Sequence, residues 1–263
     1  MLTIDSFLTY SKLSPIVELL ISVKPIKDLP KLNVQAELDI RGFPSVNKFL
    51  PTLAVELEDL GLRIGQVKVG YLRRRGDAER LVALLDYLNV NSMVARPGIN
   101  DVNTLAELLD EASMYGVNIV WEFGVGDFLR SPGEVTEFAN KVSPHRLSLA
   151  LHVARERGLR DFTRRFVELS GYVKAIYFSN KKSGSFGLPI FDGSIDFLKL
   201  MKVLQVLRYD ENVVLHYLPS YYGRYGVDLE VLNSFINSLG SGGADKRLIR
   251  SIERIVSEVL NQG

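Results

Sequence analysis

The chain has 263 residues, 46% of them hydrophobic and 24% charged, with a net charge of +1. That is long and apolar enough for a sizeable core, and too evenly charged for nucleic-acid binding to come from anything but a local patch. The absence of Cys excludes disulfides, thiolate metal ligands and a cysteine nucleophile.

In chain order, strand patterns are expected near 2–5, 34–40, 65–71, 90–95, 117–123, 147–153, 173–179 and 212–218. Helical patterns fill the gaps. Val46–Leu60 stops at Gly61, Ala78–Leu88 follows the N-cap candidate Asp77, and Thr104–Tyr115 ends at Gly116. Ser131-Pro132 opens the next helix with a cap and a first-turn proline. Phe162–Leu169, Ile195–Leu207 and Leu229–Leu239 follow, with Ser194 as a candidate cap for the second of these. A final amphipathic helix, Lys246–Leu260, lies beyond Ser241-Gly-Gly and is expected to pack outside the main body. Alternating strands and helices argue for a parallel sheet, and eight repeats in about 250 residues favour a closed (β/α)8 barrel. One domain, residues 1–263, is expected.

Met1-Leu-Thr-Ile-Asp shows no basic region followed by an apolar run, so no signal peptide is read there. No uncharged apolar stretch approaches the roughly 20 residues that span a bilayer. A cytoplasmic protein is expected, and its Cys-free, Arg-, Glu-, Val- and Ile-rich composition suits a thermophile.

Four strand patterns end on residues that could share one polar centre: Val117–Glu122, Leu147–His152, Val173–Tyr177 and Val213–His216. In the second, Ser148, Ala150 and His152 point one way and Leu147, Leu149 and Leu151 the other. Residues at the C-terminal ends of barrel strands converge on the active site, and two of the chain's three histidines stand at such ends. The strand near 34 places Val34, Ala36, Leu38 and Ile40 on one face and Gln35, Glu37 and Asp39 on the other. Carboxylates on an interior face need partners. Lys68 and Arg96 are candidates, giving an interior salt-bridge network; alternatively Asp39 reaches the mouth and touches a ligand.

The segments Arg146-Leu-Ser-Leu-Ala-Leu-His-Val, Tyr172-Val-Lys-Ala-Ile-Tyr-Phe-Ser-Asn, Leu188-Pro-Ile-Phe-Asp-Gly-Ser-Ile-Asp-Phe and Asn212-Val-Val-Leu-His are similar in order and spacing to part of a known barrel group. They resemble its sixth strand, its seventh strand, the loop and helix start after it, and its eighth strand. Val117-Asn-Ile-Val-Trp-Glu resembles the fifth. The group is the xylose-isomerase-like barrel superfamily, which includes sugar-phosphate isomerases and epimerases and apurinic endonucleases. The resemblance implies a divalent metal held by Glu, Asp, His and Glu on strands five to eight. Position by position these fall on Glu122, His152, Tyr177 and His216, so one of the four keeps its type. A further family histidine falls on Arg155 and an Asp after strand seven on Asn180.

Three readings stay open. In one, Glu122, His152 and His216 form a rearranged site for Zn, Mn or Fe. In the second, Glu122 and His216 are a metal-free acid/base pair acting on a sugar or sugar-phosphate. Arg155, Lys181 and Lys182 then hold an anionic group, and Tyr177, Asn180, Asp39 and Arg96 contact substrate. In the third, the barrel binds nucleic acid at a basic, aromatic-lined mouth. Its members would be Arg41, Arg73, Arg74, Arg75, Arg96, Arg155, Lys181, Lys182 and Arg224, with Tyr177, Tyr217, Tyr221, Tyr222 and Tyr225 for stacking. Self-association is open in all three. Gly184-Ser-Phe-Gly187 is read as a mobile loop, and Gly124-Val-Gly126 as a turn that is no dinucleotide fingerprint.

Overall fold

The computed structural model describes residues 17–22, 31–38, 55, 58, 64–72, 81–83, 85–86, 89–98, 102–124, 129–142, 146–239 and 246–261. The strand expected near 2–5, most of the helix expected over 46–60, Asp39, Arg41 and Arg73 to Arg75 lie outside these residues. The chain divides into two compact units. One holds the described residues between 33 and 151 and the other those from 152 onward, with those before 33 shared between them.

A strand not anticipated from the sequence, β1 (Val17–Ser22), opens the described chain. Its run Val-Glu-Leu-Leu-Ile-Ser is too short and too continuous for periodicity to separate strand from helix. In the first unit, β2 (Lys31–Leu38), β3 (Ile64–Leu72), β4 (Ser92–Pro97), β5 (Asn118–Glu122) and β6 (Ser148–His152) lie side by side. Each is parallel to the next. Helices α1 (Val102–Met114) and α2 (Pro132–Val142) connect the later strands. The Ser131 hydroxyl accepts from the Glu134 amide at 3.2 Å, so the expected cap is formed.

Period two divides these strands into two faces. Val67, Val69, Met93, Ala95, Ile119, Trp121 and Leu149 share one face and are buried, with α1 packing on β5. The alternate positions carry the polar residues Gln66, Lys68, Ser92, Arg96, Asn118, Glu122 and Ser148. Low on this face, Gln66 Nε2 donates to Ser92 Oγ at 2.8 Å and Ser148 Oγ donates to Asn118 Oδ1 at 3.1 Å. The polar face is therefore hydrogen-bonded at its base and charged toward the strand ends.

In the second unit, β10 (Asn212–Leu215) runs parallel to β7 (Val173–Phe178), with Val214 opposite Tyr177. The segment read as a mobile loop is an antiparallel hairpin, β8 (Asn180–Lys182) and β9 (Ser185–Leu188). Its turn residues Ser183 and Gly184 have φ of 49° and 85°, the positive values that a tight two-residue hairpin requires. The helices are α3 (Leu159–Leu169), α4 (Phe197–Val206), α5 (Tyr225–Leu239) and α6 (Lys246–Leu260), and α6 packs along α3 and α4. Asp196 rather than Ser194 caps α4, its side chain accepting from the Lys199 amide; Ser194 Oγ donates instead to the Lys181 carbonyl. No helix among the described residues is long and apolar enough to cross a membrane.

Asn180 holds the chain between β9 and α4. Asn180, fully buried, donates from Nδ2 to the carbonyls of Ile190 at 2.7 Å and Ile195 at 3.0 Å. Its Oδ1 accepts from the amides of Ile195 at 3.0 Å and Lys181 at 2.9 Å. Gly193 passes so close that a Cβ there would stand 2.3 Å from Asn180 Cγ. Gly193→Ala is therefore expected to lower stability by about 1–3 kcal/mol through overpacking. Gly171→Ala, which meets nothing within 4 Å, is the control expected to change it by less than about 0.5 kcal/mol. Urea midpoints of the two variants check this.

Candidate functional site

In the first unit, the polar face ends in a charged cluster. Glu122, the last residue of β5, is 1% exposed, and two cations flank it. Arg96 on β4 donates from Nε to Oε2 at 2.5 Å, and Lys68 Nζ on β3 lies 3.9 Å from Oε1. Lys68 is buried, whereas Arg96 is partly exposed and its guanidinium lies 5.7 Å from the Tyr71 ring centroid. A carboxylate at this depth is tolerated because opposite charge and hydrogen bonds replace its water. Lys68 and Arg96 both meet Glu122; the side chain of Glu37 and the whole of Asp39, for which they were expected as partners, lie outside the described residues. The spacing did contain this pairing, since all three occupy the polar phase of neighbouring strands.

The second unit gathers its chemistry at the ends of its strands. His152 and Tyr177 stack with ring centroids 4.4 Å apart and planes 7° from parallel. His216 follows β10, its amide donating to the Phe178 carbonyl at 2.9 Å, and it meets both rings edge-on at 5.9 and 5.4 Å. Tyr177 is fully buried, His152 is 8% exposed and His216 is half-buried, so His216 is the most accessible of the three. The parallel register of β7 and β10 produces this grouping, because Val214 opposite Tyr177 leaves residue 216 one step above the tyrosine.

Arg155, in the short turn Val153–Arg155 after β6, and Lys182 are exposed. Lys181 is half-buried and its ammonium donates to the Glu156 carbonyl. Burial raises the Glu156 carboxyl above its ordinary range, against the lowering influence of Arg165. Asn180 is engaged entirely with its neighbouring backbone, a structural task rather than the ligand contact expected of it.

The tyrosines expected to stack on bases are largely inside. Tyr217 and Tyr225 are buried and stack on one another at 4.6 Å. Tyr217 donates its hydroxyl to Asp228 Oδ2 at 2.7 Å and accepts from the Ile190 amide at 3.2 Å, and Tyr225 Oη accepts from the Tyr217 amide. Arg224 reaches Asp192 at 3.3 Å and Asp228 at 3.5 Å. This network ties the loop after β9 to α5, and Tyr177, Tyr217 and Tyr225, three of the five tyrosines expected to stack on bases, are buried. Asp228 was missed in the sequence because it falls in an ordinary first-turn acidic position.

No family model and no curated protein sequence matches this chain. Solved structures do resemble it. A xylose isomerase domain protein from Planctomyces limnophilus gives a TM-score of 0.61 at 10% identity, over 79% of this chain and 89% of its own. A D-allulose 3-epimerase from Methylomonas sp. gives 0.57 at 13% identity over 76% and 86%. A xylose isomerase-like TIM barrel protein from Mycobacterium smegmatis, in complex with magnesium, gives 0.51 at 15% identity over 73% and 79%. At such identities the likeness establishes the fold alone, that of a TIM barrel.

A divalent metal implied by that fold meets a poor fit in this chain. The retained carboxylate, Glu122, is held between an ammonium and a guanidinium, which would repel a further cation. Tyr177 occupies a ligand position as a buried ring, and His152 is stacked against it. Among the described residues, no three His, Asp or Glu side chains gather as a group that could hold a metal ion. Of the set expected from Glu122, His152 and His216, the carboxylate belongs to an ion cluster in the first unit and the two imidazoles to an aromatic cluster in the second.

Two measurements check these environments. Glu122→Gln leaves two cations without their shared carboxylate and is expected to cost about 3 kcal/mol in urea unfolding. Burial raises the Asp228 carboxyl above its usual 3.8, with Tyr217 and Arg224 opposing the rise and Asp192 adding to it. A raised carboxyl contributes stability that is full below pH 3.8 and lost as pH climbs through the folded value. Asp228→Asn removes that dependence, so its stability relative to the parent is expected to improve from pH 4 to pH 7. A difference that stays flat would contradict the assignment.

Proposed function

We propose that this xylose-isomerase-like barrel is a sugar or sugar-phosphate isomerase or epimerase in which imidazole moves the proton and no metal ion takes part. The observation that supports it best is the His152–Tyr177–His216 cluster, which stands at C-terminal strand ends, where barrels of this kind carry their chemistry. Imidazole is a workable proton carrier at neutral pH.

His216, the most accessible member, takes the proton from the carbon beside the substrate carbonyl, giving an enediolate. Returning that proton to the former carbonyl carbon on the same face, with the hydroxyl proton moved to the other oxygen, gives the isomer. Protonation of the enediolate from the opposite face by a solvent water, with His216 passing its proton to the hydroxide left behind, gives the epimer. The stacked His152–Tyr177 pair meets His216 edge-on and fixes the plane of its ring. Arg155, in the turn after β6, and Lys181, on β8, hold an anionic group such as a phosphate. Glu122, expected as the second proton carrier, instead keeps Arg96 and Lys68 in place.

The test is deuterium exchange by NMR in heavy water with a panel of aldose and ketose phosphates, in the presence of a chelator. Exchange beside the carbonyl is expected with at least one substrate, unaffected by the chelator and lowered about 100-fold or more in His216→Ala. Exchange abolished by the chelator, retained in His216→Ala, or absent across the panel would contradict the reading.

A further inference from the structure

Two helices of the second unit carry the same arginine spacing. Arg157, Arg160 and Arg164 run into and along α3, and Arg247, Arg250 and Arg254 run along α6, each set at i, i+3 and i+7. In α6 that spacing returns all three side chains to one helical face over about 10 Å; in α3 it does so for Arg160 and Arg164, while Arg157 precedes the helix. All six are exposed, opposite the faces that bury Phe162 and Phe166 in α3 and Ile252 and Ile255 in α6. α6 packs along α3, and Arg160 reaches Glu258 across the helix pair at 3.5 Å, while Arg164 pairs with Glu168 at 3.1 Å within α3. Residues 155–169 and 246–260 together hold nine basic side chains against five acidic ones, so they carry +4 in a chain whose total is +1. Arg157, Arg250 and Arg254 have no ion pair among the described residues.

We infer that this helix pair is a docking surface for the phosphate backbone of a nucleic-acid duplex, separate from the strand-end cluster. Three features select that partner. Eight of the nine cations are Arg, whose planar fork matches phosphate oxygens. A membrane surface is disfavoured because the exposed positions of α6 are Lys246, Arg247, Arg250, Glu253, Arg254 and Ser257, with no apolar anchor among them to bury. A protein partner would need an apolar centre to the patch, and the rows supply none. The exposed positions of α3 and α6 include no aromatic residue on which a base could stack, so the contact is electrostatic and independent of base sequence.

The experiment is fluorescence anisotropy of the full chain with a labelled 30-base-pair duplex at several salt concentrations, alongside Arg157→Gln/Arg160→Gln/Arg164→Gln and Arg247→Gln/Arg250→Gln/Arg254→Gln. The parent is expected to bind with a steep salt dependence. Each triple variant is expected to weaken binding at least tenfold at low salt and to flatten the log–log salt slope by about 2–3. Melting temperatures establish that the variants fold, and because the rows are on separate helices each triple tests the surface independently. No binding by the parent, binding by both triples as tight as the parent's, tighter binding to an unstructured single strand, or binding only to anionic phospholipid vesicles would overturn the inference.

Discussion

The ion cluster of Lys68, Glu122 and Arg96 is the constraint on which the chemistry of the first unit depends. A carboxylate as enclosed as Glu122 persists only where positive charge replaces its lost water, and here that charge comes from two side chains on adjoining strands. Oε2 of Glu122 is held at 2.5 Å by the Arg96 guanidinium. The second unit, for its part, places histidines at the end of β6 and just after β10.

The second unit relies on a different device. Its strand-end imidazoles are kept in orientation by ring contacts: His152 lies flat on Tyr177 and His216 stands edge-on to both. Behind them, the fully buried Asn180 holds the loop after the hairpin. The Tyr217–Asp228 hydrogen bond and the Arg224 bridge tie that same loop to α5. The loop that follows β9 is thus fastened twice, which is why a segment that looks mobile in sequence adopts a hairpin and a pinned return.

Much of the fold was legible in the sequence, because strands β3 to β7 and β10 carry period-two patterns between helices with clear stops. Glu122, His152, Tyr177 and His216 could be located for the same reason, since each ends or follows a recognisable strand. What was not legible concerned pairing. Period two shows that Lys68 and Arg96 share a face with Glu37 and Glu122, but not which carboxylate they meet. Asn180 looked like a ligand because its family position carries one, and only the return of residues 190–195 gives its amide another task. The hairpin escaped notice because β8 has three residues and β9 four, too few for an alternation to register. Asp228 and Tyr217 are eleven residues apart across a turn, and no local pattern announces their contact.

The most direct test of the proposal that no metal ion takes part, with Glu122 held by Lys68 and Arg96, is elemental mass spectrometry. The purified chain would be incubated with excess Mg, Mn and Zn, then dialysed. The account expects far less than one metal ion per chain, with no difference between the parent and Glu122→Ala. Stoichiometric metal in the parent that disappears in Glu122→Ala would contradict it, and would return Glu122 to the role of ligand.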